Sequence, residues 1–344
     1  MSTIREGTTV MRKRVVRSAT LHGYLRAACD VGIDGKALMA RVGLSSDIAA
    51  SPDSLIPLDA WIRLLDLSVA ASARTDFGAR VAIARGVPDY GLVSLLLREE
   101  ETLGDALQTY STQLHRHCDG IFIDLDERFE KPLLTFRIES EIPSIQVMEY
   151  CACGIVQMIR WLVGQDWQPD AVCQEHSRPA HTQLQGNFMR CELRYDQVVS
   201  GILLGRDALS MKVVASSAAL RRHAKTLLEQ TFNHSPENFE ARVEWLMHQQ
   251  LRDSRCSVDT LASSLGMNRR TLHRRLAGKG LSYSGLLQHV RCDTAKRLLS
   301  VQAVSLTQAA EALGFGSLSV FSRWFQASFG CSASTWKRNL AAAG

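Results

Sequence analysis

The sequence predicts a chain of two domains, in which an α+β domain, mostly helical with a small sheet, precedes an all-α domain. Three observations predict this fold class. The length of 344 residues exceeds what one hydrophobic core usually serves. Period-two patterns typical of strands occur only in the first two thirds of the chain. The last third contains two similar helical segments 48 residues apart.

The first domain begins with helical patterns and continues with strand patterns. Amphipathic stretches predict helices at 18–29, 35–42 and 58–73 and from about Thr102, where Thr102 and Asp105 have the spacing of a capping box. Alternating segments at 121–125 and 133–138, separated by turn residues, predict a β-hairpin. An apolar helix at 144–163 and short strands at 171–175, 191–195 and 201–204 complete the α+β pattern.

The predicted boundaries give a basic N-terminal tail over 1–17, a first domain over 18–217, a linker over 218–236 and a second domain over 237–344. Pro236 marks the break, because proline disfavours helix at the residue before it. Every later pattern is helical, with predicted helices at 237–252, 258–265, 269–277, 284–299, 306–313, 318–328 and 333–339. Ser305 and Gln308 have the spacing of a capping box at the start of the helix at 306–313.

Charge divides between the two parts in the same way. Residues 241–344 contain 14 Lys and Arg against 5 Asp and Glu, a net charge of +9, and the preceding residues contain 26 against 30, a net charge of −4. A compact basic segment favours binding to a polyanion, because each neutralised phosphate releases counterions. Nucleic acid and an acidic membrane surface both satisfy this charge.

The internal repeat favours nucleic acid. Leu-Ala-Ser-Ser-Leu-Gly-Met at 261–267 matches Ala-Ala-Glu-Ala-Leu-Gly-Phe at 309–315, and the helical patterns after each copy also align. Ala262 and Ala310 would let two helices approach closely, and Gly266 and Gly314 would allow the tight turn between them. The sequence therefore predicts two helix-turn-helix units.

The second helix of each unit has one apolar stripe and one polar face. Helical spacing buries Leu272 and Leu276 in the first unit and Phe321 and Phe325 in the second. Arginine can bond guanine O6 and N7 together, and Ser and Gln reach base edges or phosphates. A solvated basic helix is the alternative, and base and phosphate contacts both remain open for each side chain. The predicted DNA-contacting residues are Arg269, Arg270, His273, Arg274, Ser317, Leu318, Ser319, Ser322, Arg323 and Gln326.

At these residues the chain resembles the AraC/XylS family of transcription regulators. The resemblance covers about 237–340 and is most specific at 313–325, Leu-Gly-Phe-Gly-Ser-Leu-Ser-Val-Phe-Ser-Arg-Trp-Phe, and at 329–332, Phe-Gly-Cys-Ser. The family's recognition positions fall on Arg270, His273 and Arg274 and on Leu318, Ser319, Ser322 and Arg323. Ala333 stands where the family usually has proline and Trp336 where tyrosine is common, which leaves the start of the last helix open.

The first domain resembles the family subgroup with an arabinose-binding-like regulatory domain. The matching segments, in order, are 51–53 with 56–58, 76–78, 102–107, 161–164 and 167–169. The resemblance implies a small-molecule effector at this domain, a homodimer, promoter DNA and RNA polymerase as partners, and activation of a catabolic or virulence-related operon. No cofactor and no enzymatic activity are expected, because the sequence contains no nucleophile elbow, phosphate-binding loop or H-E-x-x-H motif.

Other classes of function have weaker support. Similar DNA-binding domains occur in repair methyltransferases, but none of the nine cysteines has the Pro-Cys-His setting of an acceptor thiol. The odd, scattered cysteines and the lack of an 18-residue apolar run predict a cytoplasmic chain outside the membrane. His115 with Cys118 is too small a ligand set for a metal, and Cys151 and Cys153 are interpreted as buried thiols. A first domain that binds a protein partner instead of a small molecule stays open.

Overall fold

The computed structural model describes residues 14–114, 118, 120–127, 131–140, 142–214, 239–252, 256–300 and 305–343. The described residues up to 214 belong to one compact unit, and those from 239 onward belong to a second. The predicted linker at 218–236, its break at Pro236 and the candidate ligand His115 lie outside the described residues.

Helices dominate the first unit, and most of them pack around one long helix, α7. Residues all round α7 are buried, and α3, α4, α6 and α8 contact it. The helices of the described part are α1 (Tyr24–Asp30), α2 (Gly35–Arg41), α3 (Leu58–Ser72), α4 (Phe77–Arg85), α5 (Leu92–Arg98), α6 (Leu103–Gln113), α7 (Ile145–Val163) and α8 (Gln183–Met189).

The described residues of the same unit also contain seven short strands, which form two sheets. Strands β1 and β2 pair antiparallel, and the larger sheet has the order β3-β4-β7-β5-β6 with β5 and β6 parallel. The strands are β1 (Val15–Arg17), β2 (Leu55–Pro57), β3 (Ile121–Asp126), β4 (Leu133–Ile138), β5 (Ala171–Cys173), β6 (Glu192–Arg194) and β7 (Gly201–Leu203). This arrangement confirms the mostly helical α+β prediction.

The predicted hairpin is confirmed with the register Ile121 opposite Ile138. Alternate residues of β3 are buried, as the period-two pattern requires. The predicted cap is present too, because the Thr102 hydroxyl accepts from the Asp105 backbone N–H at 3.2 Å and donates to the Asp105 carboxylate at 2.6 Å.

Two predictions at the start of the chain are wrong. Residues 15–17 are not part of a tail: Val16 is fully buried and pairs with Ile56. Arg17 is also buried and forms an ion pair with Asp53. The predicted helix at 18–29 is divided, because Gly23 adopts a φ of +82° between a 3-10 turn at Ser18–Leu21 and helix α1. Strand β1 is formed by pairing with residues 55–57, a contact between distant parts of the chain that a local sequence pattern does not show.

Helices α4, α5 and α8 were absent from the predicted set. Helix α4 crosses α7 at Gly78, whose backbone N–H donates to the Gln146 side chain at 2.8 Å. A Cβ atom at Gly78 would lie 1.9 Å from the Gln146 carbonyl oxygen. Close backbone approach therefore explains why this apolar segment contains a glycine inside a helix, where glycine is otherwise unfavourable.

Gly78→Ala is expected to lower the free energy of unfolding by about 1–3 kcal/mol or more, because the added methyl forces α4 away from α7. Gly186→Ala is the matched control: Gly186 lies in α8, a Cβ atom there would meet nothing within 4 Å, and alanine should be neutral or stabilising by up to about 1 kcal/mol. Thermal unfolding of the full chain measures both. Equal melting temperatures for the two variants would contradict the close-approach explanation.

The second unit consists of helices within its described residues, which confirms the all-α prediction. The helices are α9 (Phe239–Arg252), α10 (Val258–Ser264), α11 (Arg269–Ala277), α12 (Tyr283–Ser300), α13 (Leu306–Ala312), α14 (Leu318–Phe329) and α15 (Ala333–Ala343).

The caps of the second unit follow the sequence signals. The capping box of Ser305 and Gln308 is confirmed, and a second one joins Ser257 and Thr260. The last helix begins at Ala333, where the missing family proline had left its start open, and the Ser332 hydroxyl accepts from the Thr335 N–H at 3.1 Å. This helix is four residues longer than predicted, since it continues to Ala343.

Candidate nucleic-acid interface

Helices α10 and α11 form the first helix-turn-helix unit. Gly266 adopts a φ of +65°, and the Met267 N–H then donates back to the Ala262 carbonyl at 3.0 Å. Ala262 is buried at the point where the two helices meet. The Asn268 side chain accepts from the Thr271 N–H at 2.8 Å and so starts α11 immediately after the turn.

Helices α13 and α14 repeat this geometry. Gly314 adopts a φ of +71°, and the Phe315 N–H donates to the Ala310 carbonyl at 2.9 Å. Ala310 is buried, and Ser317 begins α14 by accepting from the Val320 N–H. The two copies therefore share turn conformation, hydrogen bonding and cap, as the sequence repeat predicts.

The polar face of α11 is exposed. Leu272 and Leu276 are buried beneath it, in a cluster with Val243, Met247 and Val290. Arg270, His273 and Arg274 are exposed on the opposite side. Within the described residues these three side chains have no hydrogen bond or ion pair of their own, so their donors remain available.

The two flanking arginines of α11 have other neighbours. Arg269 Nη1 lies 3.9 Å from the Asp259 carboxylate, and both side chains are largely exposed. Such a contact is weak and easily exchanged for a phosphate. Arg275 lies on the opposite edge, with its guanidinium 5.6 Å from the Phe239 ring centroid. This placement separates Arg275 from the polar face.

The exposed face of α14 is less basic than that of α11. Leu318, Ser319, Ser322 and Arg323 are all exposed, and the Arg323 side chain has no ion pair among the described residues. Two of the predicted positions also have local structural roles. Ser317 is the N-cap, and Gln326 donates to the Gly330 carbonyl at 3.1 Å near the end of the helix.

An aromatic cluster supports α14 from below. Phe321 and Phe325 are fully buried, with ring centroids 5.7 Å apart. Phe325 also stacks on Phe329 at 4.3 Å and meets the edge of Trp336 at 6.0 Å. The tryptophan at the family's tyrosine position therefore serves as a packing residue between α14 and α15.

Helix α12 joins the two helix-turn-helix units, and Gln288 and Arg291 attach the second helix-turn-helix unit to it. The Trp324 indole N–H donates to Gln288 Oε1 at 2.7 Å, and Gln288 Nε2 donates to the Ser328 hydroxyl at 2.8 Å. Arg291 donates to the Leu313 carbonyl at 3.1 Å and its guanidinium lies 4.5 Å from the Phe315 ring centroid. Sequence reasoning missed Gln288 and Arg291, because no local pattern distinguishes them from solvated residues of a helix.

The interior of the N-terminal domain, residues 14–214, contains a buried acidic group. Glu149 on α7 is 2% exposed, and its Oε1 lies 3.4 Å from His176 Nε2. Burial raises the pKa of Glu149 to about 7, although Gln185 and Tyr195 lie close enough to offset part of this shift. Burial also lowers the pKa of His176. Both groups are therefore displaced toward their neutral forms.

The other candidate sites predicted from the sequence were a possible metal site and the cysteine pair Cys151 and Cys153. Among the described residues, no three His, Cys, Asp or Glu side chains are grouped in a way that could hold a metal ion. Cys153 is buried and Cys151 is half-buried, and burial raises the pKa of the Cys151 thiol to about 12. None of the described helices is long and apolar enough to cross a membrane.

Two helix-turn-helix units on one supporting helix, each with an exposed polar face, define a DNA-binding transcription regulator. A family model described as the arabinose-binding domain of AraC transcription regulators matches residues 32–213, more than half of the chain. A model described as a helix-turn-helix domain matches residues 261–339. The chain therefore belongs to the AraC family of transcription regulators, in the subgroup with an arabinose-binding type of N-terminal domain.

Several known regulators are similar to this chain. VirS of Mycobacterium tuberculosis, an HTH-type transcriptional regulator, is 25% identical over 319 residues, which cover 90% of this chain and 94% of VirS. VqsM of Pseudomonas aeruginosa is 24% identical over 267 residues, 74% of this chain and 81% of VqsM. NphR of Rhodococcus sp., a transcriptional activator, is 30% identical over 103 residues, 30% of this chain and 31% of NphR.

Proposed function

We propose that this regulator reads an asymmetric promoter site by placing α11 and α14 in two major-groove faces. The observation that carries the proposal is that both helices expose a polar face on which Arg270, Arg274 and Arg323 have no ion pair among the described residues. Arg274 and Arg323 are assigned to guanine, because a guanidinium can donate to O6 and N7 together. The other proposed base contacts are Arg270, His273, Leu318, Ser319 and Ser322.

The remaining predicted residues are assigned to the DNA backbone. Arg269 lies at the N-terminal end of α11 and can exchange its exposed contact with Asp259 for a phosphate. Ser317 and Gln326 keep these bonds, which leaves each side chain at most one further donor for a phosphate oxygen. The net charge of +9 over residues 241–344 supports this phosphate binding.

Helix α12 gives the site its geometry. It spans 18 residues, about 27 Å at 1.5 Å per residue. Gln288 and Arg291 fix the second helix-turn-helix unit against it. Helices α11 and α14, held in this way, fit neighbouring major-groove faces about 34 Å apart, which is one turn of DNA. Because both recognition helices belong to one chain, the smallest DNA site has no two-fold symmetry.

Regulation by an effector is the second part of the proposal. The N-terminal domain binds a small molecule, which changes the population of the DNA-binding state, and the regulator then activates transcription with RNA polymerase. Membership of the AraC family supports the effector, and the similarity to the activator NphR supports the direction of regulation. We propose a homodimer on paired sites and a location in the cytoplasm.

Arg274→Ala and Arg323→Ala are each expected to weaken binding to the cognate site by about 1–3 kcal/mol, and each should relax the base preference at one position. The cognate site is first recovered by genome-wide footprinting of the tagged protein in its host. Equilibrium binding to that site and to random DNA is then measured at fixed salt concentration.

Two further variants serve as controls. Arg26→Ala removes the same charge from an exposed position in the first unit and should leave binding unchanged. Arg274→Lys keeps the charge but loses the two-point geometry, so it should lose base preference while still binding random DNA. If the alanine variants weaken cognate and random DNA equally, both arginines contact phosphates and the assignment to bases is wrong.

A further inference from the structure

A small cavity in the N-terminal domain contains Arg85, which no carboxylate of the described residues neutralises. The cavity of about 30 Å³ lies between α4, α6, α7 and β3 and has room for roughly two water molecules. Its polar lining comes from Arg85 and the phenols of Tyr90, Tyr110 and Tyr150, and its apolar lining includes Ile121 and Ile155. Among the described residues, no Asp or Glu lines it.

The contacts of Arg85 leave most of its hydrogen-bonding capacity unused. Arg85 Nη1 donates to the Tyr150 hydroxyl, and its guanidinium lies 4.7 Å from the centroid of that ring. Its Nε is buried and has no hydrogen-bond partner among the described residues. A guanidinium has five N–H donors and stays charged, so this side chain is a cation without a counter-charge in the described part of the domain.

The neighbouring tyrosines do not supply that counter-charge. Burial raises the pKa of Tyr90, Tyr110 and Tyr150, which keeps all three phenols neutral. The Tyr110 hydroxyl donates to the Tyr90 hydroxyl at 2.9 Å, and the Tyr150 hydroxyl donates to the Thr20 carbonyl at 3.1 Å. Among the described residues, the lining therefore consists of fixed hydroxyl groups, two thiols, one cation and hydrocarbon walls.

We propose that this cavity binds a carboxylate no larger than acetate, whose carboxylate group pairs with Arg85 and whose methyl group lies against Ile121 and Ile155. The proposal rests on the effector-responsive function proposed above and names the chemical class of the effector. A single guanidinium balances one negative charge and bonds a carboxylate in two-point geometry. A phosphate would bring a second charge, which nothing in the apolar lining compensates.

The test uses the full-length protein with formate and acetate, each compared with its neutral amide, and with inorganic phosphate, all at constant ionic strength. Thermal unfolding and isothermal titration calorimetry measure binding. We expect at least one carboxylate to raise the melting temperature through binding to the folded state, and the amides and phosphate to have no effect.

Two variants assign the binding to the cavity. Arg85→Met removes the charge and should weaken carboxylate binding at least about tenfold, because it deletes a charge-assisted hydrogen bond. Its melting temperature without ligand should be unchanged or higher, since an uncompensated charge is lost. Gly154→Ala places a methyl group 3.0 Å from Arg85 Nη2 and should also weaken binding, while leaving α7 intact. This second variant decides the question if Arg85→Met does not fold.

The outcomes separate this proposal from the one on which it rests. Absence of binding by every carboxylate, equal binding of acids and amides, or unchanged binding by both variants overturns the carboxylate pocket, even where cognate DNA is bound normally. Binding that requires Arg85 upholds the pocket. If the bound carboxylate then leaves the affinity for cognate DNA unchanged, the pocket stands and the effector-responsive function fails.

Discussion

Phe325→Ala is expected to lower the local stability of the second helix-turn-helix unit by about 3–5 kcal/mol and to abolish specific DNA binding. Phe325 is fully buried and joins Phe321, Phe329 and Trp336 in one aromatic cluster. Truncation removes its buried area and leaves a cavity between α14 and α15. Because α14 depends on this cluster for its position, the proposed contacts of Arg323 would be lost with it.

Hydrogen exchange on the full-length protein measures this effect locally, in peptides that cover α14 and α15. Val320→Ala is the matched control, since Val320 lies on the same helix but is 42% exposed, and its stability should change by less than about 0.5 kcal/mol. Unchanged protection in the Phe325→Ala variant would contradict the importance of the aromatic cluster.

Glu149→Gln is expected to stabilise the N-terminal domain above neutral pH by about 3 kcal/mol relative to the natural sequence. Burial raises the pKa of Glu149 from its ordinary value to about 7, so the folded state holds a proton that the unfolded state releases. The stability contributed by the protonated carboxyl is complete below about pH 4.5 and is lost as the pH rises through about 7. The glutamine variant has no such loss.

The difference between the two proteins isolates Glu149 from its titrating neighbour. His176 shifts the other way, because burial lowers its pKa and its contribution is therefore lost as the pH falls. To a first approximation this contribution is common to both proteins. Chemical unfolding from pH 4.5 to 8, followed by hydrogen exchange in peptides from α7, gives the difference at each pH. A difference that does not change with pH would contradict the raised pKa of Glu149.

The sequence predicted those features that local chemistry determines. Ser305 with Gln308 and Thr102 with Asp105 are caps that form within four residues of chain, and Gly266 and Gly314 provide the positive φ of their turns. The repeat of these signals was enough to place both helix-turn-helix units. Helical spacing then identified which side chains of α11 and α14 are exposed.

Features that depend on distant parts of the chain were not predictable in this way. Strand β1 pairs with residues about forty positions away, and α4 is defined by its contact at Gln146. In the sequence, Gln288 and Arg291 resemble ordinary residues of a helix surface. Their role depends on the packing of the second helix-turn-helix unit on α12. The isolation of Arg85 from any carboxylate of the described residues is likewise a property of the tertiary structure.

Binding-site selection from random DNA with the purified full-length protein tests most directly whether both helix-turn-helix units read bases. The proposed function predicts one asymmetric motif with two blocks whose centres lie about one helical turn, roughly 10 base pairs, apart. Arg274→Ala should degrade only one block and Arg323→Ala only the other. A motif with a single block, or two blocks that both survive both substitutions, would contradict the assignment of two base-reading helices to this chain.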